Sequence, residues 1–171
     1  DKAGDAYITG YFQGTATFGS TTLTSSGKDD YEVFVAKISA TSGAFVWAVS
    51  GGSPANDEAR DLDLDSKGNV YVTGYHSGPA TFGKTSLAHH QNGDLFVARL
   101  DPKGAFQWAI STSGSHSEQG SALAVDHLDR VVVAGYHQGT TTIGGKMVKS
   151  AGGRDGFLMG RDTGGEGVWR E

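Results

Sequence analysis

Asp65-Ser66-Lys67-Gly68-Asn69-Val70-Tyr71-Val72-Thr73-Gly74 decides the fold of this chain, because Asp1-Lys2-Ala3-Gly4-Asp5-Ala6-Tyr7-Ile8-Thr9-Gly10 matches it position for position. Each stretch reads as a polar turn, with a glycine suited to positive φ, that runs into a short strand of β-branched and aromatic residues. Val132-Val133-Ala134-Gly135 supplies a third version of the strand. Self-similarity of this kind takes precedence over local propensity, since a repeat fixes the architecture.

The repetition extends outward from these strands. Gly10, Gly74 and Gly135 lie 64 and 61 residues apart, and Phe34, Phe96 and Phe157, which open Phe-Val-Ala-Lys, Phe-Val-Ala-Arg and Phe-Leu-Met-Gly, lie 62 and 61 apart. Trp47, Trp108 and Trp169 are spaced by 61 and 61. The small drift is taken up near residues 25–30 and 40–43, polar and glycine-bearing stretches of the kind that surface loops tolerate.

In the middle copy, residues 59–65, 70–74, 96–100 and 106–110 have strand composition, with tight turns at residues 65–69 and 101–104. Residues 81–87 suit a small ribbon between the second and third strands. Residues 53–60 carry a helix-like start, Ser53-Pro54-Ala55, but the matching Ser113-Gly114-Ser115 does not suit a helix, so the segment reads as a loop. The fold class expected is all-β, with three four-stranded antiparallel repeats of about 61 residues and the first copy lacking its first strand. The repeats cover approximately residues 1–50, 51–111 and 112–171 of one segment. Val70-Tyr71-Val72 and Phe96-Val97-Ala98 are apolar on both faces and need cover on each side. Sheets stacked around an axis as β-propeller blades supply it, through Tyr7, Val70, Tyr71, Phe96, Trp47 and Trp108. In the third copy, Gly160, Arg161 and Gly167 replace Arg99, Leu100 and Phe106, which weakens its pairing.

Composition narrows the function classes. The chain has 171 residues, 14 Lys plus Arg against 19 Asp plus Glu, and no cysteine. It therefore has neither disulfides nor thiolate sites. Nucleic-acid binding is not expected without clustered basic residues, and no apolar run is long enough to insert into a membrane.

Taken together, Gly-Asn-Val-Tyr-Val-Thr-Gly-Tyr, Ala-Thr-Phe-Gly, Asp-Leu-Phe-Val-Ala-Arg-Leu-Asp and Gly-Ala-Phe-Gln-Trp-Ala resemble the bacterial seven-bladed β-propeller repeat, the SBBP type. The resemblance spans essentially the whole chain in three copies. It implies a propeller, usually in a secreted or cell-surface bacterial protein, and no catalytic residues. Further propeller repeats or other copies of the chain are the expected partners, completing a larger ring or assembly.

No catalytic constellation is visible, so a non-catalytic extracellular scaffold or adhesion module is expected, without a cofactor. The alternative is a multivalent lectin-like propeller that binds glycans through the recurring sets Tyr11-Phe12-Gln13-Gly14, Tyr75-His76-Ser77-Gly78 and Tyr136-His137-Gln138-Gly139. Its candidate ligand-binding residues are Tyr11, Gln13, Tyr75, His76, Tyr136, His137 and Gln138. Burial of those rings between blades would favour the scaffold. Asp61, Asp63 and Asp65 have the alternation of a calcium loop, but only Asp65 recurs, as Asp126, so turn capping accounts for it. His89-His90 reads as a solvated loop pair without partners, and no metal site is expected. Asp57, Glu58 and Glu118 are acidic candidates whose separations across copies the sequence leaves open.

Overall fold

A computed structural model describes residues 1–27, 29–143 and 145–164, together with the backbone of Gly167–Arg170. The described residues form no helix. The first part of the chain contains β1 (Ala6–Gln13), β2 (Thr15–Phe18), β3 (Thr21–Thr24), β4 (Tyr31–Ile38) and β5 (Phe45–Gly51). The middle part contains β6 (Glu58–Leu64), β7 (Val70–His76), β8 (Ala80–Phe82), β9 (Thr85–Leu87), β10 (Asp94–Leu100) and β11 (Phe106–Ser111). The last part contains β12 (Ser113–Gly114), β13 (Glu118–Val125), β14 (Val131–Ile143), β15 (Lys146–Arg161) and β16 (Gly167–Arg170).

Three antiparallel sheets result, ordered β1-β4-β5, β11-β10-β7-β6 and β12-β14-β15-β16, with β13 also paired to β14. The two-stranded ribbons β2-β3 and β8-β9 lie off the first two. In the third, the corresponding ribbon is continuous with the main strands, which lengthens β14 and β15 to 13 and 16 residues. The glycine-substituted stretch still pairs there, Gly160 opposite Trp169 and Arg161 opposite Gly167, while the Trp169 side chain lies outside the described residues.

Register repeats with the sequence: Gly10 faces Phe34, Gly74 faces Phe96 and Gly135 faces Phe157. Glycine is required at two of these positions by the irregularity of the neighbouring strand. A Cβ on Gly74 would sit 1.9 Å from the Glu58 carbonyl oxygen, and one on Gly135 would sit 2.0 Å from that of Gln119. Both neighbours enter bulges, between Ala59 and Asp61 and between Gly120 and Ala122. The crowding bulge excludes any side chain.

The turns follow the chemistry expected of them. Asp65 Oδ1 accepts from the N–H groups of Lys67 and Asn69, and Asp101 Oδ1 from those of Lys103 and Ala105. Gly68 and Gly104 adopt φ of +79° and +84°. Residues 53–57 form a loop.

Both faces of the middle sheet are covered. Val70, Val72, Phe96 and Ala98 join Val33, Val35, Tyr7 and Trp47 of the first sheet in one core. Tyr71, Leu95 and Val97 join Leu123, Val131, Val133 and Met159 of the third in another. Val70, Tyr71 and Phe96 are fully buried, whereas Tyr7, Trp47 and Trp108 pack half-buried against these cores. The tryptophans also link successive sheets. Trp47 Nε1 donates to the Pro102 carbonyl and Trp108 Nε1 to the Thr163 carbonyl, each at 3.2 Å and each across 55 residues.

Candidate functional site

The alternating acids of β6 join its edge to that of β13. Asp61 accepts from Leu62 N at 2.9 Å through one oxygen and from Leu123 N at 2.7 Å through the other. Asp63 does the same with Leu64 N and Val125 N, both at 2.8 Å. Leu62 and Leu123 are equivalent in the repeat, as are Leu64 and Val125. Each carboxylate thus bridges matching N–H groups of two strands that would otherwise present open edges. The calcium-like alternation has its physical account here, while Asp65 caps its turn. The sequence could not show that the bonds cross between copies.

The recurring tyrosine sets take different surroundings in each copy. Tyr11 is 48% exposed and packs on Tyr31 with ring centroids 4.8 Å apart, and the Gln13 side chain donates to the Asp29 carbonyl at 2.9 Å. Tyr75 is half-buried with the Arg60 guanidinium 5.8 Å from its ring centre, and burial beside Glu58 holds its hydroxyl far above the ordinary tyrosine value. Arg154 stands 4.4 Å over the half-buried Tyr136 ring. Gln119, in the amide orientation that satisfies its neighbours, accepts from Arg60 Nε at 2.7 Å and donates to the Tyr136 hydroxyl at 3.0 Å. Tyr75 and Tyr136 therefore line one cleft of about 410 Å³ between the second and third sheets, with Arg60, Asn92, Ser117 and Gln119. His76 and His137 are buried instead, and Gln138 is half-buried. Arg60, Gln119 and Arg154 were not among the sequence candidates; they do not recur, so the period gives no signal for them.

The acids that the sequence left unplaced form two buried pairs across sheet junctions. Asp57 accepts from Ser53 N, from Ser53 Oγ at 2.9 Å and from Ser77 N at 2.9 Å. Burial raises its carboxyl to about 7, and the Glu32 charge adds to the shift. At the equivalent position in the next copy, Glu118 is 1% exposed and neither carboxylate oxygen has a hydrogen-bond partner. Burial first and then the Asp94 charge raise it to about 8. Glu58 is paired instead with Arg60 at 2.7 Å.

Beside the second pair, the loop histidine finds partners that the sequence reading did not give it. Asp94 sits directly opposite His76 in the β7–β10 register. His89 folds back from the end of β9, placing its Nδ1 3.0 Å from Asp94 Oδ2 and its ring centre 6.1 Å from that of His76. His90, more exposed, lies with Nδ1 3.6 Å from Asp94 Oδ1. One ligand atom each from His76, His89 and Asp94 lie within 4.8 Å of one another, and these three side chains could hold a metal ion. The expectation of a partnerless pair is thus corrected for His89. The repeat held a signal for this: Glu32, Asp94 and Asp155 occupy one position, and His89 stands where the other copies have Ser25 and Ser150.

Residues 51–76, the end of β5 through β7, match the family model of the SBBP β-propeller repeat. No curated protein matches the chain. The match covers β6 with its bridging acids and β7, which ends at His76. Residues 51–76 thus carry an SBBP-type β-propeller repeat.

Proposed function

We propose that the three sheets are consecutive propeller blades, approximately residues 1–50, 51–111 and 112–171, and that the chain is a non-catalytic extracellular scaffold for interactions. The main support is the state of the recurring tyrosine sets. Arg60 and Arg154 stand by the rings of Tyr75 and Tyr136, His76 and His137 are buried, and Tyr11 alone of the three tyrosines is exposed. A multivalent lectin needs repeated open aromatic faces, and this arrangement offers one.

The partners proposed are further propeller repeats or other copies of the chain. Ile8 on the outer face of the first sheet is 36% exposed, whereas its equivalent Val72 is fully buried against the neighbouring sheet. A further blade on that face would bury Ile8 in the same way.

A glycan array and an oligomeric-state measurement test this reading together. The scaffold account expects no glycan bound at micromolar affinity and concentration-dependent association through the outer face, weakened by Ile8→Lys. Micromolar glycan binding lost in Tyr75→Ala and Tyr136→Ala would establish the lectin reading instead. Such affinity corresponds to about 8 kcal/mol.

A further inference from the structure

The cluster of His76, His89 and Asp94 lies outside the tyrosine sets and the bridging acids, and it is unlike its counterparts in the other copies. At the three equivalent positions, the first copy carries Phe12, Ser25 and Glu32, and the third carries His137, Ser150 and Asp155. In those copies the serine closes a small polar circuit. Ser25 Oγ accepts from Gly14 N and donates to the Gly27 carbonyl, as Ser150 Oγ does with Gly139 N and the Gly152 carbonyl. Only the middle copy replaces that serine with an imidazole, and among the described residues only there do two imidazoles and a carboxylate converge.

His76 is oriented as a ligand. It is completely buried, and its Nδ1 is 2.8 Å from the Gly78 carbonyl oxygen. A carbonyl only accepts, so Nδ1 carries the proton and Nε2 presents a bare lone pair. That Nε2 is buried without a hydrogen-bond partner, and so is Oδ1 of the fully buried Asp94. A histidine whose second nitrogen donates to a backbone carbonyl has the tautomer and ring orientation of a metal ligand. Two buried, unsatisfied acceptors call for a cation or a donor. His89 Nδ1 and the His90 N–H, the latter at 2.8 Å, reach the other oxygen of Asp94, and His90 Nδ1 stands 3.6 Å from Oδ1, beyond hydrogen-bond distance.

We propose that His76 Nε2, His89 Nδ1 and an Asp94 carboxylate oxygen bind one zinc ion. Two imidazoles and one carboxylate form a borderline-soft set that suits zinc and discriminates against calcium and magnesium, which take all-oxygen shells. Zinc held about 2.0–2.2 Å from each ligand draws the three atoms to roughly 3.4 Å apart, a contraction within the reach of side-chain rotation. Its role is that of a staple. It fixes the loop of residues 88–93 against the ends of β7 and β10, and that loop reaches the third sheet, where Gly93 O accepts from Glu118 N at 2.9 Å and Asn92 O from Ser117 Oγ at 3.0 Å. Zinc would thereby stiffen one wall of the Tyr75–Tyr136 cleft.

The test is calorimetric titration of the metal-free chain with zinc chloride, with cobalt chloride as a spectroscopic probe. One equivalent is expected at micromolar affinity or tighter, with the visible bands of four-coordinate cobalt. His76→Phe and His89→Ser restore the residues of sister copies and should keep the β circular-dichroism spectrum. Outer-shell substitutions weaken metal sites about 10–100-fold, so losing a direct ligand should cost at least about 100-fold. In the unsubstituted chain, the imidazole resonances of His76 and His89 should shift on adding zinc. No saturable zinc binding by the unsubstituted chain would overturn the proposal. So would binding retained within a few-fold in His89→Ser, or shifts confined to His116 and His127.

Discussion

Replacing Asp61 and Asp63 together by alanine removes the bridges between β6 and β13, the facing edge strands of the second and third sheets, while leaving the apolar cores of those sheets in place. Four N–H groups lose a carboxylate acceptor: Leu62, Leu123, Leu64 and Val125, now bonded at 2.7–2.9 Å. Hydrogen bonds to charged groups contribute about 1.5–3 kcal/mol each, but water can reach these half-buried sites and replace part of the loss. One such increment per carboxylate is therefore a fair magnitude, about 3–6 kcal/mol for the pair, and less if the two sites couple through their shared strand. Urea unfolding should show a lower midpoint with unchanged slope. Amide hydrogen exchange should accelerate first at Leu123 and Val125, residues of the neighbouring sheet. A double substitution that leaves stability within about 0.5 kcal/mol, the usual range of inconsequential surface changes, would refute the reasoning. So would faster exchange that spares Leu123 and Val125.

Gly104→Ala should destabilise by about 1–3 kcal/mol, because its φ is +84° and a Cβ would meet the Trp47 ring at 2.8 Å. Denaturant unfolding and the tryptophan emission maximum would report it together. Trp47→Phe keeps most of the ring packing but loses the bond to Pro102 O, and should cost about 0.5–1.5 kcal/mol in the same assay. Stability should also rise as the solution is acidified from pH 8.5 to 7. Glu118, raised to about 8, and Asp57, raised to about 7, bind protons in the folded state that the unfolded chain releases at those pH values. Their contribution is complete below the unfolded carboxylate value and is lost as pH rises through 7 and 8. Burial lowers His76, which opposes this trend only once pH falls toward its unfolded value. Glu118→Gln should flatten the slope and raise the urea midpoint at pH 8.5.

Strands and turns were legible wherever the repeat constrained both. Residues 70–74 and 96–100 fall inside β7 and β10, and the turn glycines Gly68 and Gly104 take the positive φ that their position implies. The merging of ribbon and sheet in β14 and β15 was not legible, because the drift in period measures inserted residues and not how strands continue. The site was read less well than the fold. Periodicity identifies equivalent residues within copies, whereas Asp61 with Leu123 and Asp94 with Glu118 are relations between copies. His89 illustrates the limit: its sequence neighbours are polar and loop-like, and its partners come from the ends of two strands that pair opposite one another. Gln13 shows the converse, since its recurring polar character supports a local loop bond to Asp29.

The stacking of successive copies in chain order is tested most directly by nuclear Overhauser contacts from the indole N–H protons. The account expects Trp47 Hε1 to show contacts to Pro102 and Lys103, and Trp108 Hε1 to show them to Thr163, each across 55 residues and from one sheet to the next. Indole contacts confined to each tryptophan's own copy would contradict it.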